Sequence, residues 1–526
     1  MKTNDEKWFG GRLMAFSGVD GHTDFENGLI FRTSFEFMGL HVKFPGDMSI
    51  FFEDQTIKPF SFAGDWFEYG SVCGAFIDSH HFIIRGKCRC STVSDKLKYI
   101  YAHGKTLIGV ADFFNEQHIE NDIDKIIEER KAWERLINSK MEHRGNAFAG
   151  ALSLIKTQIC SPHGVIKHRW TTPDRWPHRK MWLWDSVFHA AGLRHIDVQL
   201  AMDALDAVLD AQQDDGFIPI CTPHFGDKMT QPPLLAFGYK LVNTYANDKN
   251  WIAEAYPKLK KYIDWDLKNR RTKECALLEW GMEPGRKGCN ESGMDNSPRF
   301  DSGNRLYAVD FSSMLALECE AMAEFATALN SCDVTSWRNI HQVLCKEINR
   351  WLWNDEEYFY FDYDVKNHIM SDVMASSGFM PLICGACDRN QALRLAEHLS
   401  NSTTFGTAMP VPSIAADSTA CYSKDMWRGP AWINLNWLIA YGFERYGMNE
   451  QSEYIKGKSI SKIEQTFNKY GTFFEFFDDR EEVEPPLLLR KGKNECNRNP
   501  FHQVIFDYGW TAALYVDMMC CIKSET

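Results

Sequence analysis

Pro430-Ala-Trp-Ile-Asn-Leu-Asn-Trp-Leu-Ile-Ala-Tyr-Gly-Phe-Glu-Arg-Tyr446 is followed, after Gly447-Met-Asn449, by Glu450-Gln-Ser-Glu-Tyr-Ile-Lys-Gly-Lys-Ser-Ile-Ser-Lys-Ile-Glu-Gln-Thr-Phe-Asn-Lys469. The first run is aromatic-rich and sparsely charged; the second is amphipathic. A helix that is apolar all round is buried, whereas an amphipathic one keeps a wet face. The contrast recurs from Gly145 onward. Apolar spacing there predicts helices over 145–158, 185–195, 197–213, 231–247, 250–270, 305–329, 333–352, 373–384, 388–400, 429–446, 450–469 and 505–522. Twelve helices in six pairs fit two concentric rings, the inner one buried. The fold class is therefore mainly α, an (α/α)6 barrel.

Upstream the pattern changes. Gly28-Leu-Ile-Phe-Arg-Thr-Ser-Phe-Glu-Phe37, Met48-Ser-Ile-Phe-Phe52, His81-Phe-Ile-Ile-Arg85 and Lys98-Tyr-Ile-Tyr101 are short β-branched or aromatic runs between Gly and Asp clusters. Such intervals suit a sandwich. Residues 1–118 thus read as a β-sandwich-like domain, 119–143 as a charged helical linker and 144–526 as the catalytic barrel. The first domain is expected to pack on the barrel and to lend a loop over its pocket. His80, His81 and His103 read as structural.

Composition narrows the function. A net charge of −13 argues against nucleic-acid or anionic-membrane surfaces, which need a basic face. No run is apolar enough to span a bilayer and the N-terminus has no leader-like apolar core. The 16 cysteines show no paired metal-ligand spacing; Cys384-x-x-Cys387 lacks a redox context. Reduced thiols in a cytoplasmic protein is the reading. With 17 tryptophans and 18 tyrosines the chain has many flat rings that could stack on sugars, although Trp is also a good core residue.

The polar motifs fall between successive helices. Arg175-Trp-Pro-His-Arg-Lys-Met-Trp182-Leu-Trp184-Asp185 runs into a helix that Asp185 could cap. Trp182 and Trp184, two apart, would share one side of an extended segment. Asp215-Gly and Gln231-Pro-Pro read first as turn and helix-start chemistry. Asp425-Met-Trp427-Arg428-Gly-Pro-Ala-Trp432 again carries two Trp and an Arg into a helix. Between two helices, Glu291-Ser-Gly-Met-Asp295-Asn-Ser-Pro-Arg299 lies in a long Gly-rich connection, a length a compact domain rarely keeps without function. Glu475 sits among Phe473, Phe474, Phe476 and Phe477.

Glycosidic cleavage needs one carboxylic acid to protonate the leaving oxygen and a second carboxylate as base or nucleophile. Their surroundings must differ. A polar loop and an aromatic pocket supply that difference. On local chemistry Glu291 and Asp295 compete for the acid.

Taken in order, Trp182-x-Trp184-Asp185, Asp215-Gly-Phe-Ile-Pro, Gln231-Pro-Pro, Glu291 to Arg299, Trp427-Arg-Gly-Pro-x-Trp432, Phe474-Glu475 and Gly509-Trp-Thr-Ala resemble glycoside hydrolase family 63 over roughly residues 165–515. That family includes processing and bacterial α-glucosidases and mannosylglycerate and glucosylglycerate hydrolases; trehalases are more distant. The resemblance implies Asp295 as general acid and Glu475 as general base of an inverting reaction. It implies sugar-binding walls from Trp182, Trp184 and Asp185 facing Trp427, Arg428 and Trp432. Asp215, Gln231, Gly293 and Arg299 join the binding set, Gln231 and Arg299 by holding neighbouring groups. Some members bind calcium, but no complete ligand set is seen, so neither metal nor cofactor is expected.

After Glu475 the chain departs from the family: Phe476-Phe-Asp-Asp-Arg-Glu-Glu-Val-Glu-Pro-Pro486 replaces the shorter aromatic, proline and Thr-Gly-Glu turn of relatives. This touches the leaving-group side. The expected partner is a small carbohydrate, an α-glucoside or α-mannoside. A trehalase-like hydrolase of an α,α-linked disaccharide is the alternative within the chemistry. A non-catalytic sugar-binding protein on the same fold is the alternative outside it.

Overall fold

The computed structural model describes residues 11–34, 38–53, 60–141, 144–223, 228–282, 287–493 and 502–521. The described residues open with eleven strands: β1 (Leu13–Ala15), β2 (Ile30–Ser34), β3 (Gly39–Phe44), β4 (Met48–Phe52), β5 (Phe60–Ala63), β6 (Trp66–Tyr69), β7 (Val72–Phe76), β8 (His81–Arg85), β9 (Cys88–Thr92), β10 (Leu97–Ala102) and β11 (Lys105–Val110). They form two antiparallel sheets, β1-β2-β3-β4-β9 and β10-β11-β8-β7-β6-β5. The pleat explains the packing. Leu40 and Val42 on β3 point inward with their partners Ile50 and Met48 on β4, and His41 between them faces out. These residues share one core with Phe67, Phe76, Phe82 and Ile108 of the other sheet. Phe31 meets Phe82 with ring centres 4.7 Å apart, and Phe52 stacks on Phe67. Part of the run expected to extend β2, residues 35–37, lies outside the described residues.

Helix α1 (Ile123–Lys140) starts at Asp122, whose carboxylate accepts from the backbone of Asp124 and Lys125. Its Ile123, Ile126 and Ile127 cover Ala75, Ile83 and Leu107 on the second sheet's outer face. The expected connector therefore packs on the sandwich.

Among the described residues twelve α-helices follow: α2 (Asn146–Gln158), α3 (Leu183–Ile196), α4 (Val198–Asp210), α5 (Leu235–Ala246), α6 (Lys249–Asn269), α7 (Val309–Ala328), α8 (Val334–Leu352), α9 (Pro381–Cys384), α10 (Arg389–Ser400), α11 (Ile433–Arg445), α12 (Asn449–Tyr470) and α13 (Gly509–Cys521). Contacts run α3 to α5, α5 to α7, α7 to α9, α9 to α11 and α11 to α13, and α13 closes on α3. Helices α4, α6, α8 and α12 pack outside α3, α5, α7 and α11, and α2 packs on α13. The ring helix α7 is buried on nearly every face, whereas its outer neighbour α8 buries a stripe of Trp337, Leu344, Ile348 and Leu352. Where α3 meets α13, a side chain at Gly192 would come within 2.3 Å of the Ala513 carbonyl, so the helices touch backbone to backbone.

Two sequence expectations need correction. Helices expected at 231, 305, 429 and 505 begin at Leu235, Val309, Ile433 and Gly509. Residues before each start are not helical; Pro232, Pro233 and Pro430 cannot donate to a helical ladder. The helix expected over 373–384 is a 3-10 turn, Ser376–Phe379, and the four-residue α9, stopped by Gly385 with φ 74°. Among the described residues no helix is long and apolar enough to cross a membrane.

Candidate active site

The extended segments entering the ring helices converge on a cavity of about 320 Å³. Trp182 precedes α3, and Trp184 and Asp185 occupy its first turn. The Trp184 backbone N–H donates to Gln231 Oε1 at 3.1 Å, joining the α3 and α5 entries. Gly293 has φ 72°, and a Cβ there would lie 2.4 Å from the Trp184 ring. Only glycine gives both the left-handed turn and the close approach. Asp295 follows two residues later. On the α11 side, Trp427 and Trp432 stack at 3.6 Å with planes 4° apart, and Trp432 Nε1 donates to the Met426 carbonyl. Trp510, at the start of α13, meets both Trp184 and Trp432 edge-on. The Nε1 groups of Trp427 and Trp510 are buried and have no acceptor among the described residues. Hydroxyl-rich ligands supply such acceptors, and indole faces suit sugar rings.

Among the described residues three carboxyl groups line this space. Glu475 is buried; Arg490 donates to both its oxygens, at 2.9 and 3.1 Å, and the Ile505 N–H donates to Oε2 at 3.2 Å. Asp295 is half-buried, with the Lys491 ammonium 2.8 Å away. Asp185 is fully buried, and burial first, then the charges of Asp174, Glu475 and Asp295, push its carboxyl well above the usual carboxylate range. These surroundings favour its protonated form, whereas the other two are paired with cations.

Nine of the twelve residues singled out in the sequence line the cavity: Trp182, Trp184, Asp185, Gln231, Gly293, Asp295, Trp427, Trp432 and Glu475. Asp215, Arg299 and Arg428 do not. Asp215 caps a turn, accepting from the Phe217 N–H and pairing with Lys228. Arg299 is buried between Asp310 and Asp362, to which all its strong bonds go. Arg428 pairs with Asp301 and lines an adjoining hollow. Glu291 accepts from Arg270 through both oxygens, from the Gly281 N–H and from the Thr230 N–H. It is saturated with donors outside the cavity, which removes the rivalry with Asp295 for that space.

Sequence reading missed Arg490, Lys491, His178, His502 and Tyr508. His178 lies inside a quoted motif, where its signal was one histidine among many; its Nδ1 meets Asp174 at 2.6 Å. Trp510 was inside the Gly509-Trp-Thr-Ala motif without a role. No described lining residue comes from the N-terminal domain; residues 35–37 and 54–59 of that domain, where a loop over the pocket could come from, lie outside the described residues. Away from the cavity, Asp78, His81 and His118 cluster at ligand-like distances. His81 already uses Nδ1 toward Asp78 and Nε2 as acceptor from the Asn115 N–H, which leaves it no lone pair for a cation.

The family description "Mannosylglycerate hydrolase MGH1-like glycoside hydrolase domain" matches residues 178–482. The mannosylglycerate hydrolase of Rubrobacter radiotolerans is 23% identical over 461 residues, covering 69% of this chain and 97% of its own. A periplasmic trehalase of Escherichia coli is 24% identical over 189 residues, 35% of this chain and 32% of the trehalase. The solved GH63 mannosylglycerate hydrolase of Thermus thermophilus in complex with glucose superposes with a TM-score of 0.58 at 21% identity, over 71% of this chain and 100% of that one. The neutral trehalase of Saccharomyces cerevisiae gives 0.55 at 15% identity, over 73% and 81%. Both likenesses are of fold.

Proposed function

The chain belongs to the mannosylglycerate hydrolase MGH1-like family of glycoside hydrolases, and we propose that it is an exo-acting enzyme cleaving an α-glucosidic or α-mannosidic bond in a small glycoside with inversion. Asp295 protonates the leaving oxygen; Glu475 takes a proton from the attacking water. The observation that carries this reading is that Asp295 and Glu475, from loops far apart in sequence, line the same tryptophan-walled cavity. An inverting pair stands roughly 6.5–9.5 Å apart, with room for the water between.

In this reading one sugar ring lies against the Trp faces, and Asp185, as a neutral carboxyl, donates to one of its hydroxyls. The bidentate Arg490 holds Glu475 in one orientation, so the base is aimed before substrate arrives. The leaving group occupies the hollow beyond Asp295, bounded by Lys287, Asn290, Asp425 and Arg428. Among the described residues no aromatic ring lines that hollow, which supports a small polar leaving group over a second stacked sugar. The related mannosylglycerate hydrolases make mannosylglycerate, and with it glucosylglycerate, the first substrates to try.

The closed ring α3, α5, α7, α9, α11 and α13 with outer partners supports an (α/α)6 barrel over 144–526, with 1–118 and 119–143 as the β domain and linker. A cytoplasmic location is part of the proposal and rests on the reading of its cysteines as thiols. Fractionation tests it.

A panel of mannosylglycerate, glucosylglycerate, trehalose and nitrophenyl α-glycosides, with product anomers followed by NMR, tests the reaction. The β-anomer is expected first; first release of the α-anomer overturns inversion. Likeness to trehalases favours trehalose as the second reading, and preferential trehalose hydrolysis would establish it.

A further inference from the structure

Two residues of the N-terminal domain, Arg32 and Leu13, hold Asp507, the neighbour of the cavity-lining Tyr508. Arg32 on β2 is buried, and its Nη1 donates to Asp507 Oδ2 at 2.8 Å while its Nη2 donates to the Trp176 carbonyl at 2.7 Å. The same Asp507 oxygen accepts from the Leu13 N–H on β1 at 2.6 Å. Asp507 therefore has its carboxylate fixed by two neighbouring strands of the sandwich. Its other oxygen accepts from Thr472 Oγ1, and its own N–H donates back to that hydroxyl at 2.8 Å.

From there the connection to Glu475 is short. Residues 472–475 run beside 505–508: Phe474 bridges Phe506, and the Tyr508 N–H donates to the Phe473 carbonyl at 3.0 Å. The Glu475 N–H donates to the Ile505 carbonyl at 2.8 Å, and the Ile505 N–H reaches the Glu475 carboxylate. Asp507 has φ 58°, a left-handed conformation that aspartate adopts more readily than most non-glycine residues and that its neighbours here fix. Arg32, Leu13 and Thr472 are those neighbours. The guanidinium also lies 4.5 Å over the Phe506 ring, in the middle of this ladder.

We propose that Arg32 is a positioning residue for catalysis. By holding Asp507 it sets the 505–508 backbone, and so the orientation of the Glu475 carboxylate. The sandwich is then a working part of the active site. This rests on the reading of Glu475 as general base.

The test uses the full chain with α-glucosyl fluoride or α-mannosyl fluoride, whichever the parent turns over faster. Arg32→Leu strands a buried carboxylate and risks misfolding, so Arg32→Leu/Asp507→Asn, which removes both charges, accompanies it, with Arg32→Lys as the conservative variant. Assayed well below its melting temperature, the double variant is expected to lose about tenfold or more in kcat with KM within about threefold, as misplacement of a catalytic group does. Arg32→Lys is expected to recover part of that loss. A folded double variant with parental kcat, or a change confined to KM or melting temperature, overturns the role of Arg32. Glu475→Gln runs alongside. If it is inactive while the double variant is parental, only Arg32 loses its role; if Glu475→Gln keeps parental turnover, the base assignment falls and this proposal with it.

Discussion

Arg490 and Lys491 are consecutive in the chain, and each grips a different acid of the cavity. The Arg490 guanidinium donates to both oxygens of Glu475, and the Lys491 ammonium lies 2.8 Å from Asp295. Lys491 itself has φ 55°, and the next N–H, from Gly492, donates to Asp425 Oδ2 at 2.8 Å. Asp425 begins the loop carrying Trp427. One turn thus ties together both acids and one wall of the site. It lies beyond the residues that the family description matches, which end at 482.

The two members of that turn should respond differently to substitution. Arg490 and Glu475 form a buried pair, side chains 5% and 2% exposed, so Arg490→Met strands a buried charge. A loss of roughly 3–5 kcal/mol in unfolding free energy is expected, with activity lost as well. Lys491 is 41% exposed. Lys491→Met should change stability by no more than about 1 kcal/mol while lowering kcat/KM, because an exposed pair contributes little to folding. Denaturant unfolding beside steady-state kinetics separates the two; equal stability losses would contradict the burial argument.

Gly293→Ala tests the wall rather than the acids. The new methyl would meet the Trp184 ring at 2.4 Å in a backbone with φ 72°. The left-handed conformation alone costs roughly 1–2 kcal/mol. Because the ring must also move, a rise in KM beyond what the stability loss explains is expected. Unchanged KM with lowered melting temperature would mean that Trp184 does not touch the sugar.

Asp185 gives a pH signature. Its folded carboxyl titrates well above the ordinary 3.8, with burial the largest cause. Between the unfolded and folded values the native state keeps a proton that the unfolded chain has lost, so its contribution to stability falls as pH rises through that window. Asp185→Asn cannot ionise. The melting temperature of the variant minus that of the parent should therefore increase from pH 4 upward. A flat difference would mean the carboxyl is not held neutral.

Much of this site could be read from the chain because its walls sit where aromatic motifs enter helices: Trp182, Trp184, Trp427 and Trp432 announce themselves by type and spacing. The errors came from charged residues, whose partners are set by the fold. Arg299 is four residues from Asp295 in sequence, but its guanidinium is taken by Asp310 and Asp362, the latter 63 residues away. Glu291 is an equally good acid on local grounds until Arg270 closes on it. Arg490 lies 15 residues beyond Glu475 in a run without family signature, and nothing short of the folded loop brings the two together. The run of helices was legible from counting and from alternation. The later starts of four helices were not, because the residues before them look helical in apolar spacing, while Gln231, Trp432 and Tyr508 line the cavity and Leu306 and Tyr307 pair with Asp364 and Tyr363.

The two acids can be told apart by changing what leaves. A glycoside oxygen needs a proton to depart, whereas fluoride departs with little help, so a glycosyl fluoride relaxes the demand on the acid and keeps the demand on the base. Asp295→Asn should therefore lose about 10²–10⁴-fold in kcat on the natural glycoside, the usual worth of a positioned acid, and much less on the fluoride. Glu475→Gln should lose comparably on both, since water must still be deprotonated. If the asymmetry appears in the Glu475 variant instead, the roles are exchanged. If both variants lose equally on both substrates, the acids act by holding the site together and the proton-transfer reading is wrong.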